Sequence, residues 1–154
     1  MIQRIQTVFL LIAGILIGVL YFVPFGEIAS KEGSIYRFDM KGIYLEGIQK
    51  PEIICNSLPL VILMAVSLIL IFVTIFMFKN RILQMKLSRI NIFIQLGSAG
   101  LIFYDIYSCA KTLSGVYSFT IFLVFPLIAA ILIYLALRAI NKDELLVRSI
   151  DRIR

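Results

Sequence analysis

Long stretches of this chain carry no charged residue, and their length indicates the fold class. Residues 5–26, 53–78 and 112–137 contain no charge at all, and 90–110 is interrupted only by Asp105. A helix needs about 20 mainly apolar residues to cross the roughly 30 Å hydrocarbon core of a bilayer. The pattern therefore predicts four transmembrane helices, at about residues 5–25, 57–78, 90–109 and 117–140.

These helices would occupy most of the 154 residues, of which 61% are hydrophobic. Too little polar sequence remains to cover four such helices in water. We therefore expect an all-α membrane protein, a four-transmembrane-helix bundle that forms a single membrane domain over 1–154. An external loop at 26–56 and a cytoplasmic tail at 141–154 complete this organisation.

The first loop has the pattern of a strand. Tyr36, Phe38 and Met40 alternate with charged residues, which is the period of two expected of a half-buried strand. Upstream, glycine ends the three-residue segment 31–33, as suits a hairpin connection, and 43–45 is a candidate third strand. The loop is thus expected to form a small extracytoplasmic β-hairpin or sheet that rests on the mouth of the bundle.

Basic residues are distributed unevenly between the connecting segments. The linker between helices two and three carries four basic residues and no acid, whereas acids outnumber bases in the first loop. The last loop has Lys111 alone, and the tail is basic overall. Because cytoplasmic segments are enriched in Lys and Arg, both termini are expected in the cytoplasm. The net charge of +6 fits this asymmetry, and no nucleic-acid partner is expected, since aromatic residues are not interleaved with the basic ones.

The sequence offers no set of catalytic or metal-binding residues. It contains no histidine, which removes the commonest general base and a frequent zinc ligand. It has no glycine-rich phosphate loop either. We expect no enzyme activity, no cofactor, no metal and no evident small-molecule substrate.

The two cysteines, Cys55 and Cys109, are both predicted at the outer membrane face. An oxidising compartment there would allow a structural disulfide. Two independent apolar thiols are a second interpretation. The third is a thiol-disulfide oxidoreductase, although such four-span enzymes use two cysteine pairs.

A few polar residues lie inside the predicted spans. Asp105 is the only acid, Gln95 lies deeper in the same helix, and Ser67 and Thr74 share one face of helix two. Polar groups within a membrane often mark transport pathways, so a small transporter is an alternative function. A proton or ion path would require more titratable groups than Asp105.

The tail has the pattern of a short basic amphipathic helix that begins at Asn141. Its charged residues recur at helical spacing, and four of them are candidates for docking a partner protein: Glu144, Arg148, Asp151 and Arg152. The alternative is a passive anchor on anionic headgroups.

Both ends of the chain resemble a family of small four-span proteins from Bacteroidota, the domain of unknown function 4293. The similarity lies in the opening Met-Ile-Gln-Arg-Ile-Gln-Thr-Val-Phe-Leu-Leu and in the ending, most specifically Lys142-Asp143-Glu144 followed by Arg148-Ser149 and Asp151-Arg152. The resemblance implies a bacterial inner membrane with a periplasmic first loop, and it implies no catalytic residue or cofactor. We expect a non-enzymatic accessory or scaffold subunit that binds another protein, with a small transporter or a thiol-disulfide oxidoreductase as alternatives.

Overall fold

The computed structural model describes residues 5–30, 34–45, 53–77 and 80–151, with the backbone alone at 53–55 and 147–151. The described part contains four α-helices: α1 (Ile5–Val19), α2 (Leu58–Phe76), α3 (Arg81–Thr112) and α4 (Phe125–Asp151). A 3₁₀ turn at Ile121–Val124 leads into α4. The same part contains five strands: β1 (Gly26–Ala29), β2 (Ile35–Asp39), β3 (Gly42–Leu45), β4 (Ile53–Cys55) and β5 (Val116–Phe119).

The helices form a bundle in which α1 and α3 each pack on both α2 and α4. In α1 the buried side chains recur at helical spacing, at Gln6, Leu10, Ala13 and Ile17, and so form one inward face. Large apolar side chains are also exposed on the outer faces of all four helices. This distribution is expected where lipid rather than water surrounds a bundle.

Three helical segments of the described chain are long and apolar enough to cross a membrane: Leu58–Phe76, Arg81–Thr112 and Ile121–Leu146. The helix α1 is apolar as well but has 15 residues. The predicted class of a helical, membrane-type protein is therefore confirmed by length and composition.

The strands form an antiparallel sheet with the order β4-β3-β2-β1-β5 in the described residues. Phe38 of β2 is fully buried, and its ring lies 5.2 Å from that of Phe25. Both join Ile102 and Ile106 of α3 in one hydrophobic core, so the sheet covers one end of the bundle. We call this the sheet end and the opposite end the tail end.

The strand predicted over 36–41 is confirmed as β2 at Ile35–Asp39, whereas Met40 and Lys41 form the turn that follows it. Phe38 and Met40 face the core, and Tyr36 is half-buried against it. The segment 43–45 forms most of β3, as predicted. The predicted hairpin connection at 31–33 lies outside the described residues.

The predicted helix boundaries differ from the observed ones at four places. Helix one was predicted to reach residue 25, but α1 ends at Val19. The chain then tightens into turns, because the amide of Tyr21 donates to the carbonyl of Gly18 at 3.2 Å and that of Phe22 to Val19 at 3.0 Å. Pro24 also disfavours helical geometry at the residue before it.

Helix three was predicted to begin at residue 90, yet α3 begins at Arg81. The segment 81–89 was interpreted as a linker because it is charged. It contains no Gly or Pro, and Arg, Lys, Gln, Leu and Met are good helix formers. The helix therefore extends about 13 Å further toward the tail end than the apolar stretch alone indicates.

Helix four was predicted from residue 117, but Val116–Phe119 forms β5 and pairs with β1. The predicted restriction of the sheet to the first loop was therefore wrong. Two glycines allow the close approach of β1 and β5. A Cβ at Gly115 would lie 2.7 Å from the carbonyl oxygen of Ala29, and one at Gly26 would lie 2.5 Å from that of Ser118.

The tail was predicted as a separate helix capped by Asn141. Instead, α4 continues without a break from Phe125 to Asp151. Residues 138–144 contain no Gly or Pro that would end the helix. The amphipathic tail is thus the last part of α4.

Candidate functional site

One face of α3 carries buried polar side chains, and three of them, Gln84, Asn91 and Gln95, hydrogen-bond to α2. Their alternating spacing of four and three residues keeps them on one face of the helix: Gln84, Ser88, Asn91, Gln95 and Ser98, all at most 5% exposed. Two buried residues of α2 accept hydrogen bonds from this face, Ser67 through its hydroxyl and Thr74 through its backbone carbonyl. We call these seven residues the polar seam.

Ser67 is the centre of the polar seam. Its hydroxyl donates to Oδ1 of Asn91 at 2.7 Å and accepts a hydrogen bond from Nε2 of Gln95 at 2.5 Å. Nδ2 of Asn91 donates in turn to the Ser67 carbonyl at 3.3 Å. Hydrogen bonds of this kind hold helices together in lipid, where apolar contact gains little over contact with acyl chains.

A second group of hydrogen bonds lies nearer the tail end. Nε2 of Gln84 donates to the carbonyl oxygen of Thr74 at 2.8 Å, across from α3 to the last turn of α2. The Thr74 hydroxyl donates back to the Leu70 carbonyl at 2.6 Å, within its own helix. These bonds fix the end of α2 against the beginning of α3.

Three buried oxygen atoms of the polar seam have no hydrogen-bond partner in the described part of the chain: Oε1 of Gln84, Oγ of Ser88 and Oε1 of Gln95. Buried polar atoms are nearly always hydrogen-bonded, to protein or to water. The seam contains no titratable side chain, so it offers neither a general acid nor a base. Its chemistry is limited to pairing helices and accepting hydrogen bonds from water or a small polar solute.

The sequence identified part of this seam. Gln95, Ser67 and Thr74 were singled out, and the structure brings Gln95 into contact with Ser67. The other four residues were missed, two of them because 81–89 was interpreted as a linker. The four-three spacing of polar residues in an apolar helix was the pattern that would have revealed them.

Asp105 is half-buried near the sheet end of α3. Its carboxylate accepts a hydrogen bond from the side chain of Ser57, which is 2% exposed and immediately precedes α2. The hydrogen bond thus ties the start of α2 to α3. No group of three or more His, Cys, Asp or Glu side chains that could hold a metal ion occurs within the described residues.

Cys109 lies on the buried face of α3, is 1% exposed and is disulfide-bonded. The chain has one other cysteine, Cys55. Its backbone ends β4 and is paired with Ile43 of β3. A bridge between the two cysteines would join the sheet to α3; this pairing and any redox role stay predictions.

The predicted docking tail belongs to α4. Glu144 is half-buried, Arg148 and Asp151 are described by their backbone alone, and Arg152 lies outside the described residues. Asp143, which precedes Glu144 in α4, connects α4 to α1 and α3, and the sequence did not indicate this role. Its Oδ2 accepts a hydrogen bond from Gln6 Nε2 at 2.5 Å, and its carbonyl accepts one from Arg81 Nη1 at 2.8 Å.

A bundle of apolar helices around a hydrogen-bonded polar seam, covered at one end by a small sheet, places the chain in the class of small helical membrane-type proteins. The family model Domain of unknown function (DUF4293) matches residues 2–153, and the chain therefore belongs to this family. No curated protein matches the chain.

Proposed function

We propose that this protein is a non-enzymatic scaffold subunit of a bacterial inner membrane that binds another protein. In this proposal all four helices cross the bilayer, the sheet end faces the periplasm, and both termini are cytoplasmic. The tail of α4 is the docking element.

The packing of α1 supports four crossings rather than three. It lies between α2 and α4, and the strand that follows it, β1, pairs with β5, which precedes α4. The end of α1 and the start of α4 are therefore at the same end of the bundle. A helix packed in this way runs antiparallel to α4, which supports the proposal that α1 is a fourth crossing beside it.

The charges of the two ends support the orientation. The described basic residues at the tail end are Arg81, Lys86, Arg89, Arg138, Lys142 and Arg148, against Asp143, Glu144 and Asp151. An excess of Lys and Arg favours the cytoplasmic side. The disulfide of Cys109, at the sheet end, suits an oxidising compartment such as the periplasm.

This orientation is tested with two exposed lysines as cysteine sites. Lys41 lies in the turn between β2 and β3, and Lys86 lies on α3 near the tail end. In cells with a permeabilised outer membrane, a membrane-impermeant maleimide should label Lys41→Cys but not Lys86→Cys. The wild-type chain is the blank, and Lys86→Cys should react once the inner membrane is disrupted. The reverse labelling would overturn the orientation.

The continuity of α4 carries the proposal of a docking tail. The uncharged stretch ends at residue 137, but α4 continues to Asp151 without a break, which adds about 20 Å of helix. A helix that only anchors a protein lies in the plane of the membrane surface. A continuation of a packed span instead follows the direction of the span, and Asp143 holds its start to Gln6 and Arg81.

The chemistry of this projecting helix suits an acidic protein surface. Arg148 and Arg152 are four residues apart in the sequence, and a planar guanidinium group can bind a carboxylate with two parallel hydrogen bonds. Leu145 and Leu146 are 61% and 55% exposed, so the same segment of α4 also offers apolar area. A protein partner with carboxylates around an apolar patch fits this combination.

The docking role is tested by two double variants in affinity purification from mild detergent. Arg148→Lys with Arg152→Lys keeps the charge but loses the planar donors, and should release the co-purifying partner. Arg148→Gln with Arg152→Gln should do the same, whereas Lys142→Gln, which also removes a tail charge, should not. If the lysine pair retains every partner and only the glutamine pair weakens membrane-surface contact, the tail is an electrostatic anchor and docking is wrong.

One observation favours a second candidate function, the passage of water or a small polar solute. The three buried oxygens of the polar seam lie along α3 and need hydrogen-bond donors. Stopped-flow light scattering on reconstituted vesicles measures this passage. Vesicles with the wild-type chain would be more water-permeable than vesicles with Gln95→Leu; equality of both with protein-free vesicles would overturn this candidate.

A further inference from the structure

A cavity of about 260 Å³ opens between α3 and α4 at the tail end. Its lining includes no residue of the polar seam and none of the four charged docking residues of the tail. Its lining consists of two residues of α3 and four of α4: Met85, Arg89, Tyr134, Leu137, Arg138 and Asn141. The two α3 residues are four apart, and the α4 residues fall at positions 134, 137, 138 and 141, which is the spacing of one helix face, so one face of each helix forms a wall.

The two arginines mark the depth of this cavity in a membrane. Arg89 immediately precedes the apolar stretch of α3, and Arg138 immediately follows the uncharged stretch 112–137. Because α3 and α4 are neighbours, both guanidinium groups lie where apolar sequence ends, at the level of lipid headgroups. Tyr134, 55% exposed and one turn nearer the bilayer centre, occupies the usual position of an interfacial aromatic residue.

The cavity has positive charge without a protein counter-ion. Arg89 and Arg138 are both exposed, and neither is ion-paired or hydrogen-bonded to another residue in the part of the chain that the structure describes. Two cations that line one small cavity repel each other, so an anion bound between them is favoured. Guanidinium groups match the oxygen geometry of phosphate, and the Asn141 amide adds a donor.

The remaining lining distinguishes a lipid from a free anion. Met85 and Leu137 are apolar and lie beside the arginines, where they can contact the glycerol and first methylenes of an acyl chain. Basic pockets between membrane helices on the cytoplasmic side are known to take anionic headgroups. We propose that this cavity binds the phosphate of an anionic phospholipid such as phosphatidylglycerol.

The test compares two pairs of charge-neutralising substitutions on the full chain in detergent. Arg89→Gln with Arg138→Gln removes the cavity charges. Lys86→Gln with Lys142→Gln removes the same net charge from exposed positions on the same two helices outside the cavity. Native mass spectrometry then measures phosphatidylglycerol retained per chain, with phosphatidylcholine as the neutral lipid.

The arginine pair should weaken phosphatidylglycerol retention by about 30-fold, since one basic residue near an anionic surface contributes roughly fivefold. The lysine pair should leave retention within about twofold, and unchanged melting in phosphatidylcholine shows that both variants are folded. Arg89→Lys with Arg138→Lys should give an intermediate loss, because charge remains without the planar donors.

Three outcomes would overturn the proposal. An equal loss in the lysine pair would mean diffuse attraction to the whole tail end. Equal retention of phosphatidylcholine would mean that the cavity does not distinguish an anionic headgroup from a neutral one. Displacement of the lipid by millimolar inorganic phosphate would identify a free phosphate as the ligand.

Discussion

At the scale of the residue, Ser67 and Ser98 show that a polar side chain in an apolar helix can either connect two helices or bond only within its own helix. Both are fully buried serines of the polar seam. The Ser67 hydroxyl contacts two amide side chains of α3, whereas the Ser98 hydroxyl donates to the Gln95 carbonyl of its own helix at 2.8 Å. Only the first bond pattern connects two helices.

We therefore expect Ser67→Ala to lower the free energy of unfolding by about 1–2 kcal/mol, because Asn91 and Gln95 lose their partner while they remain buried. Ser98→Ala removes a hydroxyl of the same size at the same burial and should cost clearly less, since its bond lies within one helix. Denaturation of the two variants in detergent measures both values. Equal losses would mean that the interhelical bonds do not stabilise the bundle.

Single residues of the seam were only partly predictable. Ser67, Thr74 and Gln95 could be recognised because they interrupt apolar stretches. Their contacts could not, since the contact of Gln95 with Ser67 depends on the rotation of α2 against α3, which the packing of all four helices sets. The same holds for Asp105, whose hydrogen bond to Ser57 joins positions 48 residues apart in sequence (105 minus 57).

At the scale of the element, the length of uncharged stretches predicted the existence and apolar character of the helices but not their ends. Charged residues do not end a helix, so α3 extends back to Arg81 and α4 onward to Asp151. An uncharged stretch can also hold a strand: β5 was hidden in the stretch 112–137, although Val, Tyr and Phe favour strands. Alternation over 36–41 was a more local pattern and predicted β2 correctly.

The pairing of β5 with β1 at the edge of the sheet gives a prediction for Gly115. In Gly115→Ala the added methyl would meet the Ala29 carbonyl at 2.7 Å and Ile28 Cγ2 at 2.9 Å. Because the first contact is with backbone, β5 must move, and we expect a loss of about 1–3 kcal/mol in unfolding free energy. Thermal unfolding in detergent reports the change.

Gly100→Ala is the matched control. Gly100 lies within α3, and an added methyl meets nothing within 4 Å. Replacing an open helical glycine by alanine should stabilise the protein by about 0.5–1 kcal/mol. The two substitutions should thus shift stability in opposite directions, and a stabilising effect of Gly115→Ala would contradict the close pairing of β1 and β5.

At the scale of the whole molecule, the sheet and the bundle share one hydrophobic core. Phe25, Phe38 and Ile43 from the sheet side are buried together with Ile106 and Cys109 of α3. The stacked rings of Phe103 and Phe119, 5.4 Å apart, add a contact between α3 and β5. A covalent link between sheet and helix would therefore reinforce an interface that packing already forms, which is the role expected of a structural bridge.

This role predicts how the cysteine variants behave. If Cys55 and Cys109 are bridged, Cys109→Ser should lower the free energy of unfolding by about 2–5 kcal/mol. Without the bridge, the unfolded chain is no longer constrained by a long closed loop and gains conformational entropy. Cys55→Ser should lose the same amount, and the double variant no more than either single one, since one bond is removed in each case. Reductant should destabilise the wild-type chain to the level of the variants and leave the variants unchanged. Additive losses would instead mean that Cys55 and Cys109 contribute to stability independently and are not bridged to each other. If the double variant folds and accumulates normally yet abolishes a cellular phenotype of the protein, the cysteines act chemically, and thiol-disulfide exchange replaces the scaffold as the proposed function.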